Sequence, residues 1–394
     1  MDEAFFCCYP WDLLDEGVEA AIGRLAGEVG VDAVSVAAGH RAVEQFRPRY
    51  ARRRIRHESG VCFQPSPNHY AATRMRPIPA AWIKSRNPLE QIARAVERHH
   101  LKLRARLVCC EGEALAARYP MAARVDVLGE SDPRHLCPSN PDVREFLAAV
   151  VEDLSANYPL SVIELEAVTF DTPAQDTRGV ERGTTGGPVE AMLEALCFCA
   201  SCRQRATESG IDIESVASFV RERLDRLLRL ESIGAETPSA LLEDHAGLRS
   251  WFDVRQHTLV SLLAALRRRS SVPVRVHVPA EPGAVRTAAA LFAEHCDGFL
   301  IRHAPPETRA AERLRRSLVA AGGEARRVEI VVPCHPPEVS DGPLLVKAVR
   351  DLCGAGHRSI GFCDYGVAPS PCLEWSRQAI RYARRDGAAS SPGK

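Results

Sequence analysis

The sequence has no excess of either charge. Its 394 residues include 51 Lys and Arg and 51 Asp and Glu, so the formal net charge is zero. A protein that binds nucleic acid or an anionic membrane through its overall charge needs a basic excess. We therefore expect neither of these partners.

Long apolar runs are also absent. The amino terminus, MDEAFFCCYPWD, starts with acidic residues and lacks the basic and apolar segments of a signal peptide. No run approaches the ~20 apolar residues of a transmembrane helix. We therefore expect a cytoplasmic protein. In that reducing compartment the 14 cysteines would be thiols or metal ligands rather than disulfides.

Aromatic residues are few, at 6% of the chain, whereas hydrophobic residues make up 45%. The hydrophobic content is sufficient for a large core in a single α/β barrel or in two ordinary domains. The scarcity of rings argues against a long binding groove lined with stacking side chains, although Trp11 and Trp82 lie near predicted loops.

Short apolar segments recur along the chain and are mostly separated by segments with helical periodicity. The predicted strands are 4–10, 33–40, 101–110, 161–170, 274–279, 298–305, 328–336 and 359–366. Helical patterns cover 15–30, 87–100, 140–158, 284–296, 306–322 and 343–356. Eight strands that alternate with helices predict an α/β fold, specifically a closed (β/α)8 TIM barrel.

Two connections exceed ordinary loop lengths. Residues 41–86 follow the second predicted strand, and residues 171–270 follow the fourth. The latter contain predicted helices at 189–207, 212–232 and 239–268. Both connections leave the carboxyl ends of strands, where barrels carry their active sites, so we interpret them as rim insertions that cover a site. We predict one domain over 1–385 and a disordered tail over 386–394.

The fourth predicted strand, SVIELEAVTF, carries two glutamates on one face. Side chains alternate along a strand, so Glu164 and Glu166 point away from the apolar face formed by Ile163 and Leu165. In a barrel the apolar face meets the helices, which directs both glutamates toward the axis. The same alternation directs five basic residues inward: Arg104, Arg106, Arg275, His277 and Arg302. The predicted interior is therefore charged.

Two roles are open for each glutamate, because a buried carboxylate is costly unless it is paired. Glu164 lies deeper, where an ion pair with Arg104 or Arg275 is favoured. Glu166 lies nearer the rim, where catalysis or ligand binding competes with ion pairing. Further titratable groups converge on the same rim. By alternation Asp364 and His277 point inward, and at or just past their strands lie His40, Glu111, Glu281 and His335.

Three cysteines lie close together in LCFCASC, at Cys197, Cys199 and Cys202. This spacing brings three thiols within about one helical turn, which suits a soft metal ion such as zinc. A fourth ligand is needed; Cys137 in HLCPSNP is the first candidate and His135 the second. We interpret the group as a candidate structural zinc site, with free thiols as the alternative, and expect no organic cofactor.

The segment HLCPSNPDVREFLAAVVEDLSANYPLSVIELEAVTF, followed by LCFCASC, resembles part of a family of bacterial glycoside-hydrolase-like TIM-barrel proteins. In that family a Cys-Pro-x-Asn-Pro-x-Val-Arg helix precedes a strand of the form Asp-Gly-Ile-x-Leu-Asp-Tyr. The resemblance implies that Glu166 takes the place of the strand-4 acid, which serves as nucleophile or stabiliser. It also matches Tyr365 and Gly366 to the end of strand 8.

The chain departs from the family pattern at several positions. Ser161 and Val162 replace the usual Asp-Gly pair, and Glu166 replaces an aspartate. The fifth strand ends around His277, where a general-acid glutamate would be expected. Glu281 in the following loop could take that place, and a degenerate site or different chemistry is equally consistent with the pattern.

Our first hypothesis is a carbohydrate-active enzyme that acts on a small glycoside or sugar derivative. Glycoside cleavage uses two carboxyl groups that flank the scissile bond. Glu166 would be the nucleophile or base, and the acid would come from another strand, with Glu281, Asp364 or Glu111 as candidates. His277 is a further catalytic candidate. The predicted substrate-binding residues are Glu164, His40, Glu111, Arg302, His335 and Tyr365.

Two alternatives belong to other functional classes. A noncatalytic sugar-binding or regulatory barrel would keep its acids in ion pairs with Arg104, Arg275 and Arg302. A metal-dependent lyase, isomerase or hydrolase would bind its metal through His277, His335, His40 and Glu166.

Overall fold

Eight parallel strands form a closed barrel in the computed structural model, which describes residues 1–170, 187–229, 231, 237–279, 291–302, 316 and 328–389. Numbered β1 to β8, the strands are Glu3–Cys8, Ala33–His40, Lys102–Val108, Leu160–Glu166, Val274–Val278, Gly298–Arg302, Val328–Pro333 and Ser359–Cys363. Each pairs in parallel with its neighbours in chain order, and β1 closes the barrel by pairing with both β2 and β8. The predicted (β/α)8 barrel is confirmed.

Side-chain alternation gives the barrel an outer and an inner apolar layer. Outward residues such as Ile163, Leu165 and Phe299 are buried beneath the helices. A smaller apolar cluster occupies part of the interior: Phe5, Cys7, Ala33, Leu300, Val331 and Cys363. A Cβ atom at Gly361 on β8 would collide with the Phe5 ring, so a side chain at that position is incompatible with this packing.

Helices connect the strands on the outside. They are Pro10–Glu16, Val18–Gly23, Pro88–Arg98, Glu113–Arg118, Pro141–Asn157, Gly342–Gly354 and Ser370–Ala389, with a π-helical turn at Arg24–Val29. The single helix predicted over 15–30 is interrupted at Gly17, whose φ of +92° lies in the region that favours glycine. The last helix continues to Ala389, beyond residue 385, after which the sequence predicts a disordered tail. The predicted helices at 284–296 and 306–322 lie largely outside the described residues.

Residues 41–86 contain secondary structure that the sequence pattern did not indicate. The elements are the strands Val43–Phe46, Arg54–His57 and Gly60–Val61 and the 3-10 turns Pro67–Tyr70 and Ala81–Ile83. The first two strands form a hairpin, and the third pairs antiparallel with the end of β2. Arg47 in the hairpin is fully buried and pairs with Asp12 at 3.2 Å. This pair holds the hairpin against the helix that follows β1.

The chain after β4 builds a second hydrophobic core. Its helices are Pro188–Glu194, Ala200–Glu208, Ile213–Leu228, Pro238–Asp244 and Ala246–Arg269. Buried members of this core include Val127, Phe170, Leu193, Val216, Leu248 and Trp251. The single helix predicted over 189–207 is two helices in the structure, Pro188–Glu194 and Ala200–Glu208, because the chain between them is not helical. Within the described ranges, no helix combines the length and apolar character needed to cross a membrane.

Candidate active site at the barrel mouth

A network of buried charges crosses the deeper part of the barrel axis. Arg104 on β3 contacts three carboxylates: its Nε donates to Glu164 Oε1 at 2.6 Å, its Nη1 lies 3.0 Å from Glu3 Oε2, and its Nη2 contacts Glu329. Arg275 also pairs with Glu329. The charged interior is thus present. The predicted ion pair of Glu164 with Arg104 or Arg275 is made by Arg104, whereas Arg275 pairs with Glu329.

Glu164 is held as an anion. Burial raises the pKa of this carboxyl, but the charge of Arg104 and a hydrogen bond from His277 lower it by more, to well below its usual range. Ser35 Oγ donates to Glu164 Oε2 at 2.8 Å, and His277 Nε2 lies 3.5 Å from the same oxygen. Both oxygens are therefore occupied by protein groups, which favours an ion-pair role for Glu164 over a reacting one.

Glu166, the last residue of β4, lies nearer the mouth, and its side chain is 22% exposed. Three basic side chains surround it. Arg41 Nη2 is 3.6 Å from Oε2, while Arg106 Nη1 and His277 Nε2 are 3.9 Å and 3.8 Å from Oε1. Burial raises the pKa of Glu166, but His277, Arg106 and Arg41 together lower it below its usual value. Glu166 is therefore a carboxylate that solvent can reach, as a nucleophile or base must be.

Arg41, the residue after β2, links Glu166 to a second carboxylate. Its Nη1 lies 3.3 Å from Glu111 Oε2, while its Nη2 contacts Glu166. Glu111 is almost fully buried, and its backbone forms an isolated bridge with His135. One guanidinium thus brings Glu111, one of the predicted acids, close to Glu166.

Asp364 directly follows β8. Alternation along β8 places Cys363 in the inner apolar cluster beside Phe5, so alternation does not determine the direction of the Asp364 side chain. The strand ends before Asp364 is reached. Its charge nevertheless acts at the mouth, because Asp364 is among the groups that raise the pKa values of Tyr9 and Arg106.

Tyr9 and Arg106 interact electrostatically with the carboxylates of both β4 and β8. The Arg106 guanidinium carbon lies 5.4 Å from the centroid of the Tyr9 ring. Burial raises the pKa of the Tyr9 phenol, and the charges of Asp364 and Glu166 raise it further. Burial lowers the pKa of Arg106, but Cys7, Glu166 and Asp364 raise it by more. Glu166 and Asp364 therefore belong to one electrostatic environment.

Aromatic rings pack together at the ends of β1 and β2. Tyr9 stacks on Trp11 with 4.4 Å between ring centroids. Trp11 meets His40 edge-on at 4.9 Å and Trp82 at 5.7 Å, and His57 packs against both indoles. His40, a predicted substrate-binding residue, is only 4% exposed. Its surroundings are therefore aromatic packing rather than open surface.

The buried His40 predicts a pH-dependent loss of stability. Burial lowers the pKa of His40 to about 4, against about 6.5 when unfolded. The folded chain keeps the ring neutral, so stability present above pH 6.5 is lost as the pH falls toward 4. We expect this loss to reach about 3 kcal/mol and to disappear from the pH profile of His40→Asn. Urea unfolding between pH 7 and pH 4 measures it.

His100→Asn is the control for this experiment, because the His100 side chain is already in solvent in the folded chain. It should leave the pH slope of the unfolding free energy unchanged. A His40→Asn slope equal to that of the wild type would contradict the assignment of the slope to His40.

The structure places Tyr365 on the helix side of the barrel. Its ring meets Phe6 edge-on at 5.6 Å, and its hydroxyl donates to Glu16 Oε2 at 2.9 Å. Arg49 lies over the ring at 4.3 Å. The prediction that Tyr365 binds substrate at the mouth is therefore wrong, because the chain turns outward after β8 and seats this ring in the outer core.

The remaining predicted residues are less closely tied to Glu166. Arg302 ends β6 with its side chain 56% exposed and 3.7 Å from Glu338. His335 follows β7, and its Nδ1 lies 2.7 Å from the carbonyl oxygen of Pro336. Glu281, a candidate acid, lies outside the described residues.

A separate cluster brings four cysteines together away from Glu166. The sulfur atoms of Cys137, Cys197, Cys199 and Cys202 all lie within 4.8 Å of one another, and all four residues are buried. The group could hold a metal ion. In the part of the chain that the structure describes, no second set of His, Cys, Asp or Glu ligand atoms is grouped this closely. The described histidines at the rim therefore do not assemble the metal site that the third hypothesis requires.

The fold and the mouth together define a (β/α)8 barrel with carboxylates at the carboxyl ends of its strands. Among solved structures, the chain is similar to alpha-L-fucosidase isoenzyme 2 from Paenibacillus thiaminolyticus, with a TM-score of 0.55, 12% identity, and coverage of 99% of this chain and 50% of that one. It is also similar to a beta-galactosidase from the psychrophilic Marinomonas ef1, with a TM-score of 0.55, 11% identity, and coverage of 98% and 60%.

These likenesses show a shared barrel fold. The chain spans only 50% and 60% of the length of the two similar proteins. No family model and no curated protein matches the sequence.

Three residues at or below the mouth were missed by the sequence reasoning. Tyr9 directly follows β1, and Arg41 directly follows β2. The rule that barrels place functional groups just past strand ends would have found both. Glu329, the second residue of β7, is paired in the interior. Alternation could have predicted this, because its neighbours Val328 and Ile330 form the apolar outward face of the strand.

Proposed function

We propose that the protein is a carbohydrate-active enzyme that cleaves a small glycoside or sugar derivative. The observation that carries this proposal is the placement of Glu166 and Asp364 at the ends of β4 and β8, which lie on opposite sides of an eight-stranded barrel. Both carboxylates raise the pKa values of Tyr9 and Arg106. Two carboxyl groups that flank a bond from opposite sides are what glycoside cleavage requires.

The two acids take different roles in this proposal. Glu166 is the nucleophile or base, because His277, Arg106 and Arg41 favour its ionised form. Asp364 is the general acid that protonates the leaving group. The reaction needs no organic cofactor, because these side chains supply all the acid and base chemistry. The two similar structures are an alpha-L-fucosidase and a beta-galactosidase, which supports a sugar substrate. We infer a small one because aromatic residues are few.

Variants of the two candidate acids test which one protonates the leaving group. Asp364→Asn should lower kcat/KM for glycosides with poor leaving groups by about 10² to 10⁴-fold and should affect activated aryl glycosides less. This pattern arises because a good leaving group departs without a proton. Glu111→Gln should lack the pattern. If Glu111→Gln shows it and Asp364→Asn does not, Glu111 is the acid.

A panel of α- and β-linked aryl fucosides, galactosides, N-acetylhexosaminides and uronides tests the reaction class. We expect the wild type to release the phenol from at least one member faster than its Glu166→Gln variant does.

The close contacts of Glu166 with Arg41 and Arg106 favour a second candidate, a noncatalytic sugar-binding barrel. That candidate predicts sugar binding by calorimetry with no phenol release from any member.

A further inference from the structure

The four-cysteine cluster joins two distant parts of the chain. Cys137 lies just before helix Pro141–Asn157, which packs on the barrel. The other three cysteines lie around the start of helix Ala200–Glu208, in the segment after β4. All four side chains are buried in the second hydrophobic core, so solvent does not reach their thiols.

The sulfur–sulfur distances from Cys137 are close to those of a tetrahedral metal site. Cys137 Sγ lies 3.5 Å from Cys199 Sγ and from Cys202 Sγ and 3.8 Å from Cys197 Sγ. A zinc ion with Zn–S bonds of about 2.3 Å separates its four sulfur ligands by about 3.8 Å, whereas a disulfide brings two sulfurs to about 2.05 Å. We propose that these four thiolates bind one zinc ion.

Neighbouring groups support thiolate ligands. The backbone N–H of Val125 donates to Cys197 Sγ at 3.4 Å. The Cys202 thiol donates to Ser139 Oγ at 3.5 Å, and once Cys202 is a thiolate it accepts a hydrogen bond from the same hydroxyl. The backbone N–H of Phe198 donates to the carbonyl oxygen of Val125 at 2.6 Å, which holds the segment around Val125 against the cysteine loop. Hydrogen bonds of this kind orient metal ligands and offset their negative charge.

The zinc ion is a structural clip in this proposal, because four protein ligands leave no open position for substrate. Two arginine side chains near the zinc site connect the cysteine segment to the segment that follows β4. Arg124 contacts the carbonyl oxygen of Phe170 and donates to that of Ala195 at 3.3 Å. Arg255 also donates to Ala195, at 3.1 Å, and lies over the Phe170 ring at 4.7 Å. In this proposal the zinc site holds the segment at Ala195, which Arg124 and Arg255 link to Phe170, four residues beyond the end of β4. This role does not depend on the reaction at the mouth.

Metal analysis of the purified full-length chain tests the proposal. After dialysis against a chelator we expect about one zinc per chain in the wild type and less than a tenth of that in the double variant Cys197→Ser/Cys199→Ser. Cys353→Ser removes a half-buried thiol outside the cluster and should retain the full zinc content. Glu166→Gln should retain it too, which separates this proposal from the proposed reaction.

Cobalt provides a readout that does not depend on the stability of the double variant. Wild-type protein stripped of metal and loaded with Co²⁺ should show strong thiolate-to-cobalt absorption and the intense visible bands of tetrahedral cobalt. A wild type that holds no zinc, and that gives no such bands with Co²⁺, would overturn the proposal. Zinc at full occupancy in the double variant would overturn it equally, because the ion would then sit elsewhere.

Discussion

Glu166→Gln is expected to lower kcat/KM by about 10³-fold or more on whichever glycoside the wild type cleaves. The substitution keeps the size of the side chain but removes the charge that attacks the sugar or activates water. Because the pKa of Glu166 is lowered, wild-type activity should persist at acidic pH and be lost only below the usual pKa of a glutamate. Initial rates across a pH series measure both effects.

The matched control is Glu44→Gln on the hairpin near the mouth. The Glu44 side chain is 61% exposed and lies 3.7 Å from Arg54, so it resembles Glu166 in chemistry but not in position. It should retain wild-type kcat/KM within about twofold. Unfolding of Glu166→Gln should remain cooperative, with a loss below about 2 kcal/mol. A folded Glu166→Gln with wild-type kcat/KM would eliminate Glu166 as nucleophile or base.

Arg104→Met is expected to be the most destabilising single substitution considered, by about 3 to 5 kcal/mol. The substitution removes the guanidinium that Glu164 and Glu329 share. Both carboxylates then remain buried in the barrel interior without it. The Arg104 guanidinium also lies 3.8 Å from the centroid of the Phe5 ring, so the loss includes this cation–π contact. Urea unfolding at pH 7 measures it.

The pH dependence of this loss follows from Glu164. In the wild type its pKa is lowered, so Glu164 stabilises the fold at neutral pH, and this contribution is lost as the pH falls through that lowered value. Without Arg104, burial favours the protonated carboxyl. The difference in unfolding free energy between wild type and Arg104→Met should therefore be smaller at pH 4.5 than at pH 7.

Lys102→Met on the same strand is the control. Lys102 also pairs with Glu3, at 3.0 Å, but its side chain is 60% exposed. Its loss should be below about 1 kcal/mol, because water screens an exposed pair. Equal losses for the two variants would show that the axial network contributes no more than a surface ion pair.

Much of the architecture was predictable because strand patterns are local. Alternation within VIELE was enough to direct Glu164 and Glu166 toward the axis, and the same reasoning held for Arg104. Alternation failed once a strand ended. It could not show that the chain turns outward after Cys363, which sends Tyr365 into the outer core.

The candidate site depended on more than local pattern. Arg41 and Tyr9 could be found from their positions just past strand ends, but no sequence spacing reveals which side chains of other elements they contact. The grouping of Cys197, Cys199 and Cys202 was visible in seven residues of sequence. Their proximity to Cys137, sixty residues earlier, required the second core to fold against the barrel.

The amino-acid sequence alone determined the number and order of the barrel strands, the charged character of the interior and the candidate metal ligands. These features follow from periodicity and residue chemistry over a few neighbouring positions. Only the tertiary structure decided the partners. Arg275 pairs with Glu329 rather than Glu164, and Arg41 joins Glu166 to Glu111. Such pairings depend on strand register and barrel closure, which bring together side chains that lie far apart along the chain.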